Sequence, residues 1–234
     1  MAESLGYTVT PFDFRVPGVT SISADTHKYG YALKGSSVLL FRPQELRRAQ
    51  YFMQQGWPGG AYASPSMGGS RSGGLIAATW AAMLNLGKQG YRDIAAAIFR
   101  TAAEVKDAVR AHPELTTIGD SLFNIAFTAS TPASDGGIDI FHVNDALATR
   151  GWRLNGLQAP PALHFCITRP NTQPGVTEAF AADLTAAVEY ARNPPSPKPK
   201  SGASYGSGGR AVDHDRLRAG TFAYLDAVHT LGPH

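Results

Sequence analysis

The 234-residue chain has a single cysteine, Cys166. That excludes an intramolecular disulfide framework and any zinc site built on cysteines. Charge is also scarce. Charged residues make up 17% of the chain, and 21 Lys+Arg against 18 Asp+Glu leave a net charge of +3. A dedicated nucleic-acid binder carries far more clustered basic charge. Long hydrophobic runs are absent too. The most apolar stretch, Leu75 to Leu86, is interrupted by Thr79 and Asn85 and falls short of the roughly 20 residues that a membrane span needs. The opening MAESLGYTV has neither a basic region nor an apolar core, so it does not read as a secretory leader. A cytoplasmic chain with no transmembrane span and no nucleic-acid partner is the expectation.

What is present is globular and rich in turns. Hydrophobic residues are 43%, with 25 Gly and 16 Pro, too apolar for disorder. The length allows one or two domains. β-Branched runs at Val19–Ser23 and Ser36–Phe41 predict short buried strands. The polar loop ADTHKYGYALKG lies between them, and a loop held by a rigid scaffold is a good platform for reactive groups. Residues 55–74 hold three Gly-Gly pairs, at 59–60, 68–69 and 73–74, interleaved with Trp57, Tyr62, Ser64, Ser66, Ser70 and Arg71. Such a segment is either a flexible surface loop or one shaped over a ligand or subunit interface.

Leu75, Ile76, Thr79, Trp80, Met83 and Leu84 form a broad apolar face that predicts a well-buried helix. Ile94, Ile98, Ala102, Val105 and Val109 predict an amphipathic helix ending near His112-Pro113. Alternation predicts strands at 122–127 and 163–168, and periodicity predicts helices over 139–150, 176–188 and 212–230. NPPSPKPK at 193–200 reads as a stiff linker.

The densest chemistry is Asp25-Thr26-His27-Lys28-Tyr29-Gly30, with Lys34 six residues after Lys28. A lysine that attacks a carbonyl must first lose its proton. Partial burial and a nearby cation, here Lys34, are expected to lower its pKa. The plain alternative is a solvated turn with two ordinary lysines. Other constellations are weaker. His164 and Cys166 share a strand face, which usually means packing rather than a nucleophilic pair. The seven histidines show no metal-binding i, i+4 pair with an acid. Asp213-His214-Asp215 reads as a solvated helix start, and LRRAQ at 46–50 as a solvated basic face.

The segment SISADTHKYGYALKGSSVLLFR resembles the cofactor-lysine segment of the group II pyridoxal-phosphate-dependent decarboxylase superfamily, and within it the sphingosine-1-phosphate lyase family. PFDFRVPGVTSIS before it, GWPGGAYASPSMGGSRSGG after it, GWRLNGLQAPPALHFCIT and the late GASYG extend the resemblance over nearly the whole chain, in family order. The resemblance implies an α/β fold: part of a fold-type I large domain at 1–90, carrying the Schiff-base lysine, and a small α+β carboxyl-terminal domain at 91–234.

It also implies roles. Lys28 matches the lysine that forms the internal aldimine with pyridoxal 5'-phosphate. His27 matches the histidine near the cofactor phosphate, and Asp25 belongs to the same cofactor-binding motif. Lys34 matches a second active-site lysine, at the substrate phosphate or in proton movement. Tyr62 and Ser64 match a loop that completes the neighbouring subunit's site, and Tyr205 matches a late tyrosine near the substrate phosphate. Arg71 matches a Ser-Arg pair that the family follows with proline; Ser72 stands there in this chain, so the φ restraint of proline is lost.

The implied reaction is cleavage of a long-chain base 1-phosphate, such as sphingosine 1-phosphate, to a fatty aldehyde and phosphoethanolamine. Alternatives are an amino-acid decarboxylase, or a non-catalytic remnant that pairs with a full-length lyase. The family's phosphate cradle, ring-stacking histidine and pyridine-pairing aspartate match nothing in this sequence. The expectation is therefore a carboxyl-terminal part, inactive alone, that acts as a homodimer or beside a complete subunit. Eukaryotic full-length relatives are expected at the endoplasmic reticulum membrane.

Overall fold

A computed structural model describes residues 1–202 and 214–230. The chain divides into two units, Met1–Ala95 and Ala96–His234. No helix among the described residues is long and apolar enough to cross a membrane.

In the first unit, β1 (Ser21–Asp25) and β2 (Ser37–Phe41) pair antiparallel, with Ser21 opposite Phe41 and Asp25 opposite Ser37. Their β-branched and aliphatic residues suit a pleated strand, and the pairing brings the ends of the loop 26–36 together. Arg42, just after β2, donates to the carbonyls of Phe14, Val16 and Val19, with its guanidinium 5.4 Å from the centre of the Phe14 ring. This fastens the segment before β1 to the end of β2. A short helix α1 (Gln44–Arg48) leads to a second antiparallel pair, β3 (Phe52–Gln54) and β4 (Tyr62–Ser64).

Helix α2 (Gly73–Arg110) runs from the first unit into the second and is broken at Gly87 (φ 57°, ψ 179°). That conformation is essentially confined to glycine. It divides α2 into two arms, 73–86 and 88–110.

The first unit has almost no core. Every buried apolar side chain among the described residues lies between Ile98 and Ala191. In Met1–Ala95 only Thr26, Ser64 and Thr79 are buried, and all three are polar. The expectation of buried strands near residues 19–41 and of a buried helix from Leu75 is corrected here. Both elements form, but Val38, Leu39 and Leu40 are exposed, as are Ile76, Trp80, Met83 and Leu84. The apolar pattern is present, and nothing among the described residues covers it.

The second unit is conventionally packed. After the second arm of α2 come β5 (Leu115–Ile118), β6 (Asn124–Ala129), α3 (Ile140–Thr149), β7 (Asn155–Gln158), β8 (Pro161–Cys166) and α4 (Val176–Arg192). The strands make one antiparallel sheet in the order β5-β6-β8-β7, with Ile125 opposite Phe165 and Phe127 opposite Leu163. Ile125, Phe127, Leu163 and Phe165 are buried, as period-two alternation requires. α3 starts at an N-cap, Asp139, whose carboxylate accepts from the Phe141 amide at 2.9 Å. Val143 and Leu147 of α3 and Phe180, Leu184 and Val188 of α4 are buried. So are Ile98, Ala102, Val105 and Val109 of α2. A final helix, α5 (His214–His229), exposes Phe222, Leu225 and Val228.

Candidate functional site

The loop after β1 is a tight, internally bonded turn. The Lys28 amide donates to the Asp25 carbonyl at 3.2 Å, Tyr31 to Lys28 at 3.1 Å, and Ala32 to Thr26 at 3.0 Å. Gly30 is required because a Cβ there would collide with the Thr26 carbonyl oxygen. The result lifts Lys28 to the surface, with its side chain 66% exposed, and pairs its Nζ with Asp25 Oδ2 at 2.9 Å. His27 is half-buried beside it. Its Nδ1 is buried without a hydrogen-bond partner among the described residues, and an unmet buried nitrogen is costly unless a partner arrives.

The electrostatics of Lys28 reverse the expectation. Burial and Lys34 do not depress its pKa. Lys28 is exposed, and the hydrogen bond and charge of Asp25 raise its pKa above the ordinary lysine value. The Asp25 carboxyl is correspondingly held below its ordinary value by Lys28. A cation three residues from a carboxylate in one turn meets that carboxylate before anything else. The pair keeps the amine protonated to higher pH, so the resting turn is a poor nucleophile. Asp25→Asn is therefore expected to make Lys28 severalfold more reactive toward an amine-directed reagent at pH 8, read by peptide mass mapping. The difference should shrink in high salt, since the pair is exposed.

Lys34 lies in the same loop, exposed, ahead of β2. Tyr62 opens β4 and is also exposed, its ring 6.1 Å from that of Phe52 across the β3–β4 pair. Ser64 is buried and its hydroxyl donates to the Ser66 carbonyl at 2.6 Å, which commits it to the loop itself. Arg71 folds back on the same loop, donating to the Gly69 carbonyl and to Ser66 Oγ at 3.0 Å. Tyr205 and Asp213 lie outside the described residues. In the second unit, His164 is half-buried on β8, and burial pushes its imidazole below the ordinary pKa. No group of three metal-ligating side chains occurs among the described residues.

Sequence motifs missed what holds this turn from below. Thr26 donates to the Ser36 carbonyl at 3.0 Å and lies 2.7 Å from the Ser36 hydroxyl, which lies 2.9 Å from that of Thr79 on α2. Tyr91 of α2 donates to the Gly30 carbonyl at 2.8 Å, and its ring stacks on Tyr31 with centroids 6.4 Å apart.

No family model matches the chain. Comparison with individual proteins is decisive. The sphingosine-1-phosphate lyase of Dictyostelium discoideum is 39% identical over 232 residues, covering 98% of this chain and 42% of the relative. The solved structure of the Burkholderia pseudomallei sphingosine-1-phosphate lyase is 51% identical and superimposes with a TM-score of 0.83, covering 99% of this chain and 47% of that one. The chain is a homologue of the sphingosine-1-phosphate lyases. It spans about two fifths of the length of the curated relatives it matches. A glutamate decarboxylase of Lactobacillus brevis shares the fold alone, with a TM-score of 0.62 at 20% identity over 77% of this chain. The chain therefore has part of the α/β fold of the fold-type I pyridoxal-phosphate-dependent enzymes, followed by an α+β unit.

Proposed function

We propose that the chain is the lysine-bearing part of a pyridoxal-phosphate-dependent lyase for long-chain base 1-phosphates, and that it acts only when the part of the lyases that it does not match closes the site. The observation that carries this reading is the Lys28 turn: a reachable amine beside a histidine whose buried Nδ1 lacks a partner. Those two groups fit one end of pyridoxal phosphate, an aldehyde for the amine and a phosphate near the imidazole.

Each residue then has a task. Lys28 would hold the cofactor through Nζ, with its proton passed to Asp25 or to water. His27 would serve the cofactor phosphate. Lys34, Tyr62 and Tyr205 bring a positive charge and two hydroxyls to the substrate phosphate, where charge-assisted hydrogen bonds are strong. Lys34 is also suited to carry the proton of the substrate's C3 hydroxyl. Bound pyridoxal phosphate supplies the electron sink that makes carbon–carbon cleavage beside the amine carbon possible. The products are a fatty aldehyde and phosphoethanolamine.

The need for a cover rests on the first unit's surface. Ile76, Trp80, Met83 and Leu84 form one stripe on α2, and Val38, Leu39 and Leu40 lie exposed on β2. Contiguous apolar surface of this kind is an interaction face. The part of the lyases that this chain does not match is the fitting cover.

The test is co-expression with the part of the Burkholderia pseudomallei lyase that this chain does not match. A complex that copurifies, binds pyridoxal phosphate and cleaves sphingosine 1-phosphate supports the reading. A complex that forms but prefers aromatic amino acids over phosphoethanolamine in competition would replace the lyase reading with a decarboxylase. A complex that never turns over either substrate would leave a non-catalytic pairing subunit.

A further inference from the structure

The first unit lacks an apolar core, yet its reactive turn is ordered. The groups that order it are hydroxyls. Ser36 Oγ lies between Thr26 Oγ1 at 2.7 Å and Thr79 Oγ1 at 2.9 Å, Thr26 Oγ1 reaches the Ser36 carbonyl, and Thr79 Oγ1 reaches the Leu75 carbonyl at 3.0 Å. Three hydroxyl protons serve four contacts, so Thr79 can donate either into its own helix or into the chain that ends at Thr26. Thr26 begins the turn that carries His27 and Lys28. At the other end of that turn, the Tyr91 hydroxyl donates to the Gly30 carbonyl. Thr79 lies on one arm of α2 and Tyr91 on the other. The glycine-only conformation at Gly87 separates the arms, and each arm meets the turn through a hydroxyl.

We propose that Thr79 and Tyr91 are positioning residues for Lys28, acting through Ser36–Thr26 and through Gly30 respectively. They fix the backbone from which the amine projects, and so its selectivity for an aldehyde bearing a phosphate. This rests on the reading of Lys28 as the cofactor lysine. Neither residue touches the reacting atoms. Removing one hydroxyl leaves fold and charge intact but frees one end of the turn.

The experiment uses the full chain, copurified with the part of the lyases that it does not match, with pyridoxal 5'-phosphate and borohydride. The lysine nitrogen adds to the aldehyde carbon, water leaves, and hydride from borohydride fixes the product as a secondary amine. Peptide mass mapping then gives labelling at Lys28 relative to Lys34, Lys88 and Lys106. Amide hydrogen exchange at Lys28, Tyr31 and Ala32 is read on the same samples. Tyr91→Phe and Thr79→Val should each cut the Lys28 preference and speed exchange in the turn by about fivefold, the scale of one lost hydrogen bond. Thr79→Ser should restore both. Exchange in β6 and β8 should not change.

Wild-type preference for Lys28 that both variants keep would overturn the positioning proposal and leave the cofactor reading standing. Wild-type labelling without preference for Lys28 would overturn both. Loss of exchange protection throughout the first unit in Tyr91→Phe and Thr79→Val alike, with no rescue by Thr79→Ser, would make these residues mere scaffold and also overturn the proposal.

Discussion

Phe180→Ala is expected to destabilise the second unit by about 3–5 kcal/mol. Phe180 is fully buried. Its ring packs edge-on to Trp152 with centroids 5.1 Å apart and lies 5.2 Å from Phe165, while Trp152 and Phe165 meet at 5.9 Å. Trp152 is held in that cluster by its Nε1, which donates to Asp183 on α4 at 2.8 Å. Truncation removes the ring that both others share and leaves a cavity in its place. For a unit of this size the loss lowers the melting temperature by roughly 10–20 °C, measured by circular dichroism or calorimetry. Phe12→Ala, at a 73% exposed position, should leave the same transition within about 0.5 kcal/mol. Equal effects from the two substitutions would contradict the division into one cored unit and one uncored unit.

The second large effect is on chemistry. In the assembly completed by the remainder of a lyase, Lys28→Ala is expected to lower turnover of sphingosine 1-phosphate at least about a thousandfold, the scale expected when a covalent group is lost. Lys34→Ala should instead raise KM for the phosphorylated substrate, with a smaller fall in kcat, if the proposed role of Lys34 at the substrate phosphate holds. Steady-state kinetics on the two variants separate the roles. If Lys34→Ala proved the more damaging to cofactor binding, the two lysines would have to exchange places in the account.

The sequence reads well wherever burial within this chain decides the pattern. Ile98, Ala102, Val105 and Val109 repeat at helical spacing and are buried within their own unit, as are Phe180, Leu184 and Val188 on α4. It misleads where no described residue covers the apolar face. Trp80 and Met83 carry the pattern of a buried helix and are exposed, since periodicity records a face suited to burial and not the identity of the cover. β5 and β7 escape notice because LTTI and NGLQ are short and only weakly apolar; the sheet recruits them by pairing with β6 and β8. At the site, the motif around Lys28 is legible as a run of chemical residue types. Its supports are not, because Ser36 meets Thr79 across 43 residues and Tyr91 meets Gly30 across 61. The Lys28 shift has the opposite sign to the one its motif suggests, for a local reason: Lys34 stands out in the sequence as a second lysine, while Asp25, paired with Lys28, decides the charge.

The central claim is that one amine, Lys28 Nζ, is where pyridoxal phosphate is held once the exposed face of the first unit is covered. The most direct measurement is reductive trapping of the cofactor in the completed assembly, followed by peptide mass mapping of every lysine. The account predicts a single label, on the peptide containing Lys28, formed in proportion to lyase activity. A label on Lys34 or any other lysine, with Lys28 left unmodified in an active assembly, would contradict it.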